Sequence, residues 1–89
     1  MPASSEVVVA LPPEVALHAR PAATFVKTAL RFGSRVSVAV DGRVADAKSI
    51  LAVLALGATG GTVLRLRADG DDAPAALDAL AVCVSSLVE

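Results

Sequence analysis

The stretch SRVSVAVDGRVADA, Ser34 to Ala47, decides the fold. Val36, Val38 and Val40 alternate with Arg35, Ser37 and Ala39, the period-two pattern of a strand with one covered face. Asp41-Gly42 is a two-residue turn of the type that matches the twist of paired strands. The reading is a hairpin, Arg35–Val40 against Arg43–Ala47.

Outward from the hairpin the period changes. Upstream, Ala22, Phe25, Val26, Ala29 and Leu30 recur at three- and four-residue spacing, which predicts a helix from Pro21. Gly33 is placed to end it as a left-handed cap. Before that helix, Glu6–Leu11 reads as a strand, closed by Pro12 and Pro13. Downstream, KSILAVLALG predicts a short helix, Ser49–Leu56, with the Ser49 hydroxyl as its cap and Gly57 as its stop. In GTVLRLRADG, Leu64, Leu66 and Ala68 share one face and Arg65 and Arg67 the other, a fourth strand with one wet side. Asp72 is placed to cap a last helix with Pro74 in its first turn and an apolar stripe of Leu77, Leu80, Val84 and Leu87. The order is βαββαβα. Strands that alternate argue for an antiparallel sheet with one face in water, and three helices on the other face make an α+β, two-layer open-faced sandwich.

With 89 residues and no repeat or linker, residues 1–89 read as a single small domain. The chain is 55% hydrophobic and 19% charged, which sets it apart from disordered sequences. Net charge is −1, with no basic stripe and no aromatic platform, so nucleic acid is not expected as a partner. One cysteine, Cys83, excludes an internal disulfide and any multi-cysteine metal site, and it reads as a buried, inert thiol on the last helix. No metal or cofactor of the chain's own is expected. MPASSEVVVA has no basic residue ahead of its apolar run and does not read as a signal peptide. The longest apolar run, ILAVLALGA, is too short to span a bilayer. A cytoplasmic protein is expected.

The chemistry gathers in ALHARPAA, Ala16 to Ala23, which holds the single histidine. Pro21 fits the first turn of a helix, where its missing N–H had no partner in any case. His18 then falls at or just before the helix N-cap, where unpaired amides and the positive end of the helix dipole favour an anion. Arg20 adds a cation whose donors suit phosphate oxygens. On this reading alone His18 is equally an ordinary surface residue, and Arg20 an ordinary solvated one.

The segment ALHARPAATFVK resembles the active-site segment of the HPr family, the histidine-containing phosphocarriers of the phosphoenolpyruvate-dependent sugar phosphotransferase system. Leu17, His18, Arg20, Pro21 and Ala22 match its Leu-His-x-Arg-Pro-Ala. Lys48, Ser49, Ile50, Leu56 and Gly57 match a second segment, and Asp41-Gly42 matches the family's hairpin turn. The resemblance runs from about Leu11 to the C-terminus. It implies strand order 1-4-2-3, and His18 as the residue that takes a phosphoryl group from enzyme I and passes it to enzyme II A-type domains, with Arg20 balancing the phosphate charge. The chain is expected to be a monomer with no membrane insertion. The family usually has Gly where this chain has Ala16, and a positive φ there would strain the loop.

Ser49 has two readings: an N-cap worth about 1 kcal/mol, or, as the resemblance implies, a regulatory site for an HPr kinase/phosphorylase that also controls docking to a transcriptional regulator. Five large aliphatic residues on two helical turns, Ile50, Leu51, Val53, Leu54 and Leu56, cannot all face the core. The expectation is a docking patch beside His18 made by Leu51 and Leu54, helped by Thr24 and Phe25. GATGG lacks the Lys-Ser/Thr of a phosphate loop and DGDD lacks calcium-loop spacing; both read as turns. Two alternatives stand beside this reading: a nitrogen-regulatory phosphotransferase carrier with the same chemistry, or a regulatory binding protein that docks a transcription factor when Ser49 is phosphorylated. His18 speaks against the second because, as the resemblance implies, relatives of that type lack the active histidine.

Overall fold

The structure, a computed structural model, describes residues 4–88. The start of MPASSEVVVA and the last residue of the single-domain reading lie outside the described residues. The elements are β1 (Ser4–Ala10), α1 (Ala19–Leu30), β2 (Arg35–Val40), β3 (Arg43–Asp46), α2 (Ile50–Ala55), β4 (Val63–Asp69) and α3 (Ala73–Ser86). They form a four-stranded antiparallel sheet in the order β1-β4-β2-β3. The expected α+β open-faced sandwich and its strand order are what the chain adopts.

Register explains which side chains form the core. Val7 faces Leu66, Leu66 faces Val38 and Val38 faces Ala45, a row across all four strands on the covered side. The next row, Val8, Arg65, Ala39 and Val44, lies on the open side. Leu64, Leu66, Ala68 and Val38 are fully buried, whereas Arg65 and Arg67 are exposed. α3 packs on β1 and β4, α2 on β3, and α1 against both other helices. Asp41 and Gly42 take φ of 51° and 81°, the pair of positive values that a hairpin turn matched to strand twist requires.

The ends of the elements differ from the sequence reading in informative ways. β1 starts at Ser4, paired with Asp69, and stops before Leu11, although the Leu11 amide still donates to the Thr62 carbonyl at 2.9 Å. α1 starts two residues ahead of Pro21. Gly33 is not a left-handed cap. The last turn closes instead with tightened bonds, Arg31 N–H to Thr28 and Phe32 N–H to Ala29, both 3.2 Å, and Lys48 Nζ donates to the Phe32 carbonyl at 2.6 Å. Leu30, expected in the apolar stripe, is exposed; it lies about 80° round the helix from Ala22, at the edge of the buried face. Leu87 is buried as expected, but in extended conformation just past the end of α3.

Asp72 begins α3 as its N-cap residue, with Ala76 N–H on its carbonyl at 2.9 Å, but its side chain does not cap. The carboxylate accepts the amides of Gly33 and Ser34, both at 2.9 Å, and the Ser34 hydroxyl. It therefore ties the α1–β2 turn to the start of α3. Those bonds, the Ser34 hydroxyl first and the Gly33 amide next, hold the Asp72 carboxyl below the usual carboxylate range.

Candidate functional site

His18 is the N-cap residue of α1, with extended backbone (φ −112°, ψ −170°), and is exposed to solvent. Its placement follows from its neighbours. Leu17 before it is 2% exposed, and Pro21 and Ala22 after it are buried, so the chain is anchored on both sides of the histidine. The His18 carbonyl accepts the Ala22 amide at 3.0 Å, the first bond of the helix. The amides of Ala19 and Arg20 have no carbonyl four residues back within the helix, and Pro21 has no N–H. The first turn of α1 carries no acidic side chain, so the positive end of the helix dipole is not offset there. Arg20, two residues on, is exposed. The geometry suits an anion held beside the imidazole in open solvent.

The loop under His18 rests on a second loop that the sequence reading passed over as a plain turn. Leu17 N–H donates to the Ala58 carbonyl at 2.8 Å, and Gly61 N–H donates to the Pro12 carbonyl at 3.2 Å. Gly60 packs so tightly that a Cβ there would stand 2.1 Å from the Pro13 carbonyl oxygen. GATGG is thus a turn, and it braces the histidine loop; two adjacent glycines beside an invading backbone are the signal that marks such a site. Ala16 carries no strain, because Asp41 is the only non-glycine residue with positive φ among the described residues.

The remaining candidates divide. Ser49 caps α2: its hydroxyl oxygen accepts the Ala52 amide at 3.3 Å. Lys48 beside it, in the same sequence motif, closes the far end of α1, a role its sequence neighbours do not reveal. α2 divides its aliphatic residues as its length demands. Val53 and Leu56 enter the core, Leu54 is half-buried, and Leu51 stands 78% exposed. Phe25 corrects the docking expectation: it is fully buried and belongs to the core, because it shares with Ala22, Val26 and Ala29 the stripe that α1 turns inward. Thr24 is exposed, but it lines a groove between α1 and α3 together with Arg20. Cys83 is half-buried rather than sealed, with Sγ 3.5 Å from Thr28 Oγ1 in the same groove.

The chain thus carries an exposed imidazole at a helix N-terminus, two residues before an exposed arginine, on a small α+β sandwich. The family described as "PTS HPr component phosphorylation site" matches residues 4–86. Phosphocarrier protein HPr of Haemophilus influenzae is 42% identical over 71 residues, 80% of this chain and 84% of its own. That of Streptomyces coelicolor is 47% identical over 74 residues, 82% of this chain and 80% of its own. The crystal structure of HPr-C-His from Thermoanaerobacter tengcongensis superposes with a TM-score of 0.88 at 41% identity, covering 92% of both chains. The chain belongs to the HPr family of phosphocarrier proteins of the phosphotransferase system.

Proposed function

We propose that the chain is the cytoplasmic phosphoryl relay between enzyme I and enzyme II A-type domains, with His18 as the acceptor. The Nδ1 lone pair forms the new N–P bond as the N–P bond of the donor's phosphohistidine breaks, and that bond's electron pair returns to the donor ring. The observation that carries the reading is the position of His18: exposed, at the N-cap of α1, with Arg20 exposed two residues on. Phosphoryl transfer is governed by positioning and electrostatics, so a partner can supply much of the catalytic geometry. One arginine and one helix terminus steady the phosphate without trapping it, which a carrier with high transfer potential requires.

Docking falls to the aliphatic side chains of α2 that reach the surface, chiefly the exposed Leu51 with the half-buried Leu54 beside it. Ser49 stands next to this patch as the regulatory residue. Phosphorylation there adds about two negative charges to the docking face and repels acidic partners. No helix of the described residues is long and apolar enough to cross a membrane.

The test is incubation with enzyme I and labelled phosphoenolpyruvate. Acid-labile label on the wild-type chain and none on His18→Ala supports the reading; label of equal extent on His18→Ala overturns it. Acid-stable label on Ser49 from a protein kinase and ATP tests regulation separately.

A further inference from the structure

The groove between α1 and α3 is built from two unlike walls. The α1 wall presents Arg20, Thr24, Thr28 and Arg31. Both threonine hydroxyls donate to carbonyls of their own helix, Thr24 to Arg20 at 3.2 Å and Thr28 to Thr24 at 3.0 Å. α1 contains no acidic residue at all, in a chain whose net charge is −1. Arg20 and Arg31 stand about 16 Å apart along the helix at 1.5 Å per residue. The opposite wall, formed by α3 and the two residues after it, is mostly apolar, with Ser86 its one hydroxyl. α3 carries one charged side chain, Asp78, which does not line the groove. Val82 is 67% exposed and Val88 73% exposed. A helix so poor in charge on its outward side is one that something covers. The space between the walls is about 370 Å³.

From these we infer that the α1–α3 groove docks an acidic segment of a partner protein. Carboxylates near its two ends meet Arg20 and Arg31, and aliphatic side chains between them cover Val82 and Val88. Charge complementarity selects the occupant. A second copy related by a twofold axis across the groove would set Arg20 against Arg31, like charges that repel, and one related by an axis along the helices would leave both arginines facing a wall with no carboxylate. The inference stands apart from phosphoryl transfer: the groove shares only Arg20 with the His18 site, and Leu51 and Leu54 do not line it.

The test uses the full chain and a designed probe. This is a helical peptide of about 14 residues with a glutamate near each end and leucines between them on the same face. Its counterpart carries glutamine for both glutamates. The expected result is amide shift changes at Thr24, Thr28, Val82, Cys83 and Ser86. Affinity should fall about tenfold or more for the glutamine peptide and for Val82→Glu. Val82 is exposed, so Val82→Glu is expected to fold, and Arg31→Glu gives a second variant with the same expected loss. The inference is overturned if the probe does not bind, if shifts map to Leu51 and Leu54 instead, or if Val82→Glu binds as well as wild type. Two further outcomes overturn it in favour of another occupant. One is a dimer in solution that Val82→Glu dissolves; the other is binding to vesicles of anionic lipid that Val82→Glu abolishes, with none to the peptide.

Discussion

Replacing Phe25 by alanine separates packing from docking at the residue where sequence and structure disagree most. The ring is fully buried, among the largest wholly enclosed side chains, with Ala22, Val26 and Ala29 on the same inward stripe of α1. Phe→Ala at such a site costs about 3–5 kcal/mol, the lost transfer energy plus the cavity left behind. At 0.05–0.15 kcal/mol per residue, a chain of this length has roughly 4–13 kcal/mol of stability in all. Phe25→Ala should therefore remove roughly a quarter or more of it and lower the melting temperature by roughly 12 °C or more. Urea unfolding followed by circular dichroism measures this, with Phe25→Leu as the milder companion, which keeps most of the apolar volume. Leu51→Ala is the opposite case. Its side chain is 78% exposed, so its stability should change by less than about 0.5 kcal/mol while the KM for enzyme I rises. A Phe25→Ala variant as stable as wild type, but slow in transfer, would refute this division and return Phe25 to the docking surface.

Other perturbations follow from the same geometry. Gly60→Ala should lower both stability and phosphorylation rate, because its Cβ would force the Pro13 carbonyl, and with it the His18 loop, to move; amide shifts from Val15 to Ala19 report the displacement. Arg20→Glu should slow transfer strongly and leave urea unfolding unchanged, since Arg20 is exposed; an unchanged rate would remove it from the site. Ser49→Ala should cost about 1 kcal/mol through loss of the α2 cap, and Ser49→Asp should retain most of that cap. The depressed Asp72 carboxyl stays ionised to lower pH in the folded than in the unfolded chain. Its stabilisation is thus fully present above the unfolded value of about 3.9 and is lost as pH falls through the lower folded value. Asp72→Asn should flatten that acid limb in a series of melts, and an acid limb as steep as wild type would show the carboxylate is not what titrates there.

Local pattern carried the architecture because each element is consistent with its own period. The valines of Arg35–Val40, the Asp41-Gly42 turn and the Leu-Arg alternation of β4 each name one face for the sheet. The position of His18 was legible for the same reason: Pro21 restricts where the helix can begin. What escaped depends on partners distant in sequence. Asp72 has the sequence look of a helix cap, yet its carboxylate serves Gly33 and Ser34, nearly forty residues earlier. Gly33 could pass for a left-handed terminator because nothing local records that Lys48 and tightened bonds end the helix instead. Gly60 is explained only by Pro13, and neighbours in sequence give no hint of that approach. Phe25 and Thr24 are consecutive; the helical spacing already put Phe25 on the apolar stripe and Thr24 off it, and the burial of that stripe removes Phe25 from the docking surface.

The most direct measurement is nitrogen-resolved NMR of the chain after reaction with enzyme I and phosphoenolpyruvate, followed by addition of an enzyme II A-type domain. The expected result is one phosphoryl group per chain, bound to Nδ1 of His18, which disappears when the acceptor domain is added. A phosphoryl group on any other residue, or one on His18 that the acceptor domain cannot remove, would contradict it.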